Sequence, residues 1–319
     1  MGTYILRRVL QLIPMLLIIS FLIFLGVELM PGDAVDYMIS PDMLSSITPE
    51  QLEAMRDALG LNDPFILRYF RWLGNVLKGD FGYSMQSGVP VATLMINYLP
   101  ATIELSVAAL IISSVLGSLL GVACALKQGK ILDNTLSVAG MIGIAMPQFL
   151  LGLLCIVLFT FKLHWLPVGG RMDTLGESFF QRLDHLIMPA TVLGFSLTAG
   201  VMRYSRASML NSLNKDYVKT ARAKGLPEWR VNFLHGLRVA MSPVIVLIGL
   251  RLPMLIGGSI VIEQVFQWPG VGTFFISAVR SQNTPVVMMI GFLTGAMVLV
   301  SSVLIDIVNA LMDPRIRLD

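Results

Sequence analysis

Apolar and polar positions divide this chain into long hydrophobic stretches separated by polar segments. Val9–Leu29 is apolar except for Gln11 and Glu28 near its ends. At ~1.5 Å per residue it can cross a hydrocarbon core about 30 Å thick. Further apolar stretches follow at Leu105–Leu126, entered through Pro100 and Glu104, and at Asn134–Phe161, interrupted by Pro147-Gln148. Leu186–Met202 is shorter and holds Pro189. Val239–Ile262 contains Pro243, Arg251, Pro253 and Gly257-Gly258, and Val286–Ile305 is the last. The pattern predicts six transmembrane helices. Arg7-Arg8 before the first stretch also fits a signal peptide, but the run exceeds a typical h-region of about 7–15 residues and no A-x-A site follows. It is read as an uncleaved first helix.

The polar section Pro31–Asn97 carries its own helix signals. Thr48-Pro49-Glu50-Gln51 offers an N-cap, a proline at the first helical position and a capping-box glutamine, with a stop at Gly60. Asn62-Asp63-Pro64 starts a second helix that ends near Gly79. Its Leu67, Phe70, Leu73, Val76 and Leu77 recur at three- and four-residue spacing, which gives one apolar face. The section is expected to fold as a small cap on the membrane.

Composition agrees with the pattern. The chain is 55% hydrophobic and 13% charged, where a soluble domain carries about 25% charged residues. A net charge of +3 is too small to indicate nucleic acid. Charge placement is more informative. Both termini fall on one side of the six spans. That side carries Arg7, Arg8, Lys127, Lys130, Arg315, Arg317 and the run from Arg203 to Arg238. The other side spreads Arg56, Arg68, Arg71, Lys78, Lys162, Arg171, Arg182 and Arg280 over longer loops. The positive-inside rule places both termini in the cytoplasm.

Catalytic patterns are missing from the sequence. It has no G-x-x-x-x-G-K-[ST] phosphate loop, no G-x-S-x-G elbow and no H-E-x-x-H helix. His164, His185 and His235 are scattered, and Cys124 and Cys155 sit in apolar stretches as packing residues. Neither catalytic nor metal-ligating residues are assigned, and any ATP chemistry must belong to another chain. An ion-coupled secondary transporter would need intramembrane acids, often with an inverted repeat. Glu28, Glu104 and Asp306 lie only near span ends, and no repeat is evident.

The longest basic interruption is Asp216–Arg238, DYVKTARAKGLPEWRVNFLHGLR. Thr220-Ala221-Arg222-Ala223-Lys224-Gly225, preceded by Asp216-Tyr217-Val218, resembles the cytoplasmic signature of binding-protein-dependent ABC importer permeases of the dipeptide/oligopeptide/nickel branch. The resemblance runs along the chain. Leu6-Arg7-Arg8, Pro14 and Met30-Pro31-Gly32-Asp33 resemble the branch's opening, and Gly79-Asp80-Phe81-Gly82-Tyr83-Ser84 its external segment. Glu263, Phe266 and Trp268-Pro269-Gly270-Val271-Gly272 resemble the segment after span five, and Asn309 with Pro314-Arg315-Ile316-Arg317 the tail. There are departures. Lys219-Thr220-Ala221 stands where the general pattern begins Glu-Ala-Ala, His235-Gly236-Leu237-Arg238 replaces Ile-x-Leu-Pro, and Asn283 stands where the branch often has Asp.

The resemblance implies an all-α integral membrane protein with a type I ABC importer permease fold and six transmembrane helices. It implies a transmembrane helix over 1–30, an extracytoplasmic helical segment over 31–97, a five-helix core over 98–312 with a coupling loop at 208–238, and a tail over 313–319. The chain would form half of a pore in the bilayer beside a second related permease. Two ABC ATPase subunits, holding ATP and Mg, would sit below it and an extracytoplasmic solute-binding protein above. The solute would be a di- or oligopeptide, with nickel chelates, glutathione and oligosaccharides as alternatives. Asp216, Tyr217, Lys219, Thr220, Ala221, Arg222, Ala223, Lys224 and Gly225 are the expected ATPase-coupling residues. In that reading Ala221 and Ala223 permit close approach, the bases meet partner carboxylates, Gly225 supplies a left-handed stop and Pro227 opens the next helix.

Pathway or gate candidates are Gln148, Arg251, Glu263 and Trp268. An ionised side chain within a span costs about 2.5–3.5 kcal/mol on insertion scales, so Arg251 should face a pathway or a partner such as Glu104. Gln148 beside Pro147 either lines a path or packs. Trp268 is either an interfacial anchor with a turn, or a plug or docking edge beneath the external binding protein. Gly117-x-x-x-Gly121 and Gly291-x-x-x-Gly295 allow close helix packing, within or between chains.

Overall fold

The computed structural model describes residues 2–30, 35, 47–171, 179–251 and 259–312. Among these there are helices and turns, with one isolated bridge at Tyr83 and Pro90 and no strand. Among the described residues, five helices are long and apolar enough to cross a membrane, or six when a bent pair counts as one span.

The chain divides into two compact units: Ala101–Gly272 with Ser301–Asp319, and Gly2–Pro100 with Thr273–Val300. In the second unit, α1 (Gly2–Glu28) is apolar on nearly every face and largely exposed. It meets α3 (Phe65–Leu77) through Phe21, Phe24, Phe65, Tyr69 and Trp72, whose rings pack edge-on or tilted. Arg68 bonds Glu28 at the same contact. Before α3, α2 (Pro49–Ala58) has the expected capping box, with Thr48 Oγ1 accepting from Gln51 N–H and Gln51 Oε1 from Thr48 N–H. Asn283 staples the Gly79–Ser84 segment to the start of α13 (Thr284–Met312). Its Nδ2 donates to Ser84 Oγ at 2.7 Å and its Oδ1 accepts from Met85 N–H at 3.1 Å. An amide serves both bonds, so the Asn found here needs no charge.

The other unit is built around α7 (Phe179–Leu213). Its most apolar window is 61% buried, against 33% or less in the other four long helices. The shortest apolar run in the sequence is therefore the most enclosed helix, and it extends well beyond the expected Leu186–Met202. Its surroundings explain this. A helix packed on protein can carry polar residues that a lipid-facing one cannot.

Other spans also depart from expectation. The second span is α4 (Val91–Leu126), which begins before Pro100 and carries that proline inside. The third is broken. In α5 (Ile131–Ala145) and α6 (Gln148–Cys155, continued by π-helical Ile156–Lys162) the axes differ by 101°. Pro147 forces Met146 into extended backbone, φ −79° and ψ 125°, and thereby ends α5. The fifth span starts earlier than Val239. From α9 (Glu228–Arg230) the helix passes through π-helical Val231–Leu237 into α10 (Arg238–Gly249). Residues 252–258, with Pro253 and Gly257-Gly258, lie outside the described residues, as does the tail from 313. The stretch Glu263–Pro285, expected as a loop, holds α12 (Val271–Arg280) and the end of α11 (Ile260–Val265), which begins inside the expected fifth span.

Small residues set the close approaches. A Cβ on Gly117 would lie 2.6 Å from Val201 Cβ, and one on Gly121 2.6 Å from Ser205 Cβ, so α4 rests directly on α7. Gly291 and Gly295 face Ile23 and Ile19 of α1. Both G-x-x-x-G patterns therefore pack within this chain.

Candidate functional site

Between α7 and α9 the chain makes a short exposed helix, α8 (Asp216–Ala223). Asp216 in its first turn suits the positive end of the helix dipole. Its C-terminus is a full Schellman stop. Gly225 N–H donates to Arg222 O at 2.9 Å and Leu226 N–H to Ala221 O at 3.3 Å. Gly225 takes φ +73°, in the left-handed region, with nothing near a would-be Cβ. Leu226 packs onto Val218, Ala221 and Val231. Pro227 then opens α9 at φ −64°.

One face of α8 is buried on the chain itself: Val218 and Ala221 are covered, together with Val231. Asp216, Tyr217, Lys219, Thr220, Arg222, Ala223, Lys224 and Gly225 are exposed. Ala221 thus seats the helix, its methyl filling the contact under α8. Two of the bases are also already engaged. Lys219 Nζ lies 2.9 Å from Asp216, and Arg222 forks onto Glu228 at 2.9 and 3.3 Å. These pairs are exposed and worth about 0–1 kcal/mol, so a partner carboxylate can replace them. Tyr217 Oη lies 2.6 Å from Ser212 Oγ, which donates to Gly236 O at 2.7 Å. Thr220 Oγ1 donates back to Asp216 O within the helix.

The other candidates lie apart from α8, along or beside α7. Gln148 Nε2 donates to Ser196 Oγ at 3.0 Å and pins the bend after α5. Arg251 Nη1 donates to Leu197 O at 2.9 Å, and its guanidinium covers Gly200. Glu104 is not its partner: Glu104 accepts from Arg171 Nε at 2.9 Å. Glu263 is fully buried, with Oε1 accepting from Thr102 Oγ1 at 2.8 Å and Ser259 Oγ at 2.9 Å. Gly270 and Gly272 press on that carboxyl, and Thr102 Oγ1 accepts from Val271 N–H at 2.7 Å. Trp268 is 1% exposed, its Nε1–H donating to Ala101 O at 2.7 Å. The ring is enclosed within the chain, and Glu263 and Trp268 together lock the Trp268–Gly272 turn onto α4.

Residues 117–318 match the family described as binding-protein-dependent transport system inner membrane component, and residues 1–106 match its N-terminal membrane component. The chain belongs to this family. It is a multi-pass permease subunit of the ABC importer type. The oligopeptide transport system permease protein AppB of Bacillus subtilis (strain 168) is 41% identical over 99% of this chain and 100% of its own length. The di/tripeptide transport system permease protein DppB of Pseudomonas aeruginosa (strain UCBPP-PA14) is 36% identical, and the glutathione transport system permease protein GsiC of Escherichia coli (strain K12) 35%, each over 99% of both chains.

In this permease one polar pair escaped the sequence reading. Asp133, 2% exposed, accepts from Arg206 Nε and Nη2, each at 2.7 Å, and from Gly129 N–H at 2.9 Å. The residues are far apart in sequence, and each resembles an ordinary charge at a span end. The available signal was Asp133 following the Lys127–Lys130 turn, with Arg206 just past the end of the expected fourth span.

Proposed function

We propose that this permease forms half of the translocation pore of an ATP-driven importer of di- or oligopeptides, and that α8 is its docking helix for an ABC ATPase. The observation that carries the reading is the build of α8. It is a short helix with a Schellman stop, seated on its own chain through Val218 and Ala221, and it turns a small, polar and basic face outward. A helix stopped and seated in this way moves as a rigid body with α7, and so transmits force instead of bending.

The sequence holds no phosphate loop, so ATP and Mg belong to two ATPase subunits. The basic bias supports a cytoplasmic position for α8 and both termini, in the plasma membrane of a bacterial or archaeal cell. The segment 31–97 then lies outside, where a solute-binding protein delivers substrate to this chain and a second, related permease. Oligopeptide, di/tripeptide and glutathione permeases among its relatives support a peptide-like solute. Gln148 and Arg251 sit where α7 meets the broken third span and the end of α10, and they are the polar groups offered to the pathway.

Two experiments test the reading. Recovery of the ATPase subunits with the tagged chain should fall for Ala223→Glu, and full recovery would overturn the docking assignment. The neighbouring binding protein should show calorimetric heats with di- to pentapeptides but not with nickel chelates or sugars, and the reverse pattern would overturn the substrate class.

A further inference from the structure

The C-terminal part of α7 is tied at three successive levels. Arg206 forks onto Asp133 of α5, with both bonds at 2.7 Å. Ser208 donates to Ala240 O of α10 at 2.7 Å. Ser212 donates to Gly236 O at 2.7 Å and meets Tyr217 of α8. The serine ties join α7 to elements that flank α8 in the chain. The Arg206 tie differs because it reaches back along the chain to α5.

Asp133 has a double hold. Its Oδ2 also accepts from Gly129 N–H, which closes the Lys127–Lys130 turn between α4 and α5, where Gly129 has φ +73°. One carboxylate therefore grips the α4–α5 turn and α7 together. Gly117 and Gly121 already place α4 directly on α7. A two-point guanidinium–carboxylate fork resists rotation, whereas a single hydroxyl bond permits it. Buried ion pairs are weak contributors to stability compared with apolar packing, so the pair's geometry is the better guide to its role.

We infer that Asp133 and Arg206 are positioning residues for energy coupling. They form a rigid joint that makes α4 and α5 follow any displacement of α8 delivered through the end of α7. The inference rests on the reading of α8 as the ATPase-docking helix. Without the fork, α7 would turn against α5, and the motion would be lost at that joint.

The test uses the full complex, reconstituted with its ATPases. Cys124 and Cys155 are replaced by alanine, which adds no polar group beside Asp133, and nitroxide labels are placed at Lys130→Cys and Lys215→Cys, both exposed positions. In the parent, the distance distribution between labels should stay single and narrow without nucleotide and with ATP plus vanadate. The double variant Asp133→Asn with Arg206→Met removes both charges, while the introduced amide keeps an acceptor for Gly129 N–H. There the distribution should broaden and become nucleotide-dependent, with ATP hydrolysis retained and uptake lost. Arg206→Lys keeps the charge and loses the fork, so it should broaden the distribution even if the double variant does not assemble. A parent distance that changes with nucleotide, or variants that match a rigid parent, overturns the joint. Copurification of Ala223→Glu scores docking separately. Loss of ATPase there, beside a parent-like distance in the joint variants, would overturn the joint and leave the docking reading standing.

Discussion

Ala221 and Ala223 are chemically identical, yet α8 turns the first inward and the second outward. Their substitutions should therefore separate. Ala221→Glu buries a charge beside Val218 and Val231 and should cost about 3 kcal/mol, seen as a lower unfolding temperature in detergent. Ala223→Glu should change stability by no more than about 0.5 kcal/mol, and its effect should appear in ATPase recovery. Gly225 raises a different issue, because space around it is open and only its φ of +73° is demanding. Gly225→Ala should cost about 1–2 kcal/mol and Gly225→Asn less, since Asn tolerates the left-handed region. Thermal melts of the two variants check that order. The glycine's role was legible from the sequence, because a stop before a proline needs local geometry alone. The facing of the alanines was missed, although Val218 and Ala221 at three-residue spacing marked the inward side.

Among the elements, the prolines show how far local rules reach. Pro147 breaks a span into two helices 101° apart, while Pro100 and Pro189 sit inside continuous helices. The residue type is the same at all three sites. The glycine pairs are clearer: Gly121 is pressed against Met202 O and Ser205 Cβ. Gly121→Ala should cost about 1–3 kcal/mol through overpacking of α4 on α7, measurable as reduced thermal stability in detergent. The cap of α2 is a purely local device. Thr48→Ala should weaken that helix by about 1 kcal/mol, seen as faster amide exchange over residues 49–58 and little change in the global melt. It was legible in full, since capping depends on residues within one turn.

Over the whole molecule, the family assignment makes transport a property of an assembly. Uptake into proteoliposomes should require the ATPase subunits and the binding protein, and uptake by this chain alone would return the ion-coupled reading. The sequence by itself determined the all-helical membrane class, the α2 cap, the Gly225 stop and the family. Each of these is written in hydrophobic run length, nearest-neighbour chemistry or ordered motifs. Only the tertiary structure decided that the short fourth span is the buried centre, that Glu104 takes Arg171 instead of Arg251, and that Asp133 grips Arg206. It also decided that Trp268 and Glu263 lie inside the fold. Those outcomes depend on which helices lie side by side. Burial and pairing come from groups distant in sequence, and no local pattern along the chain encodes them.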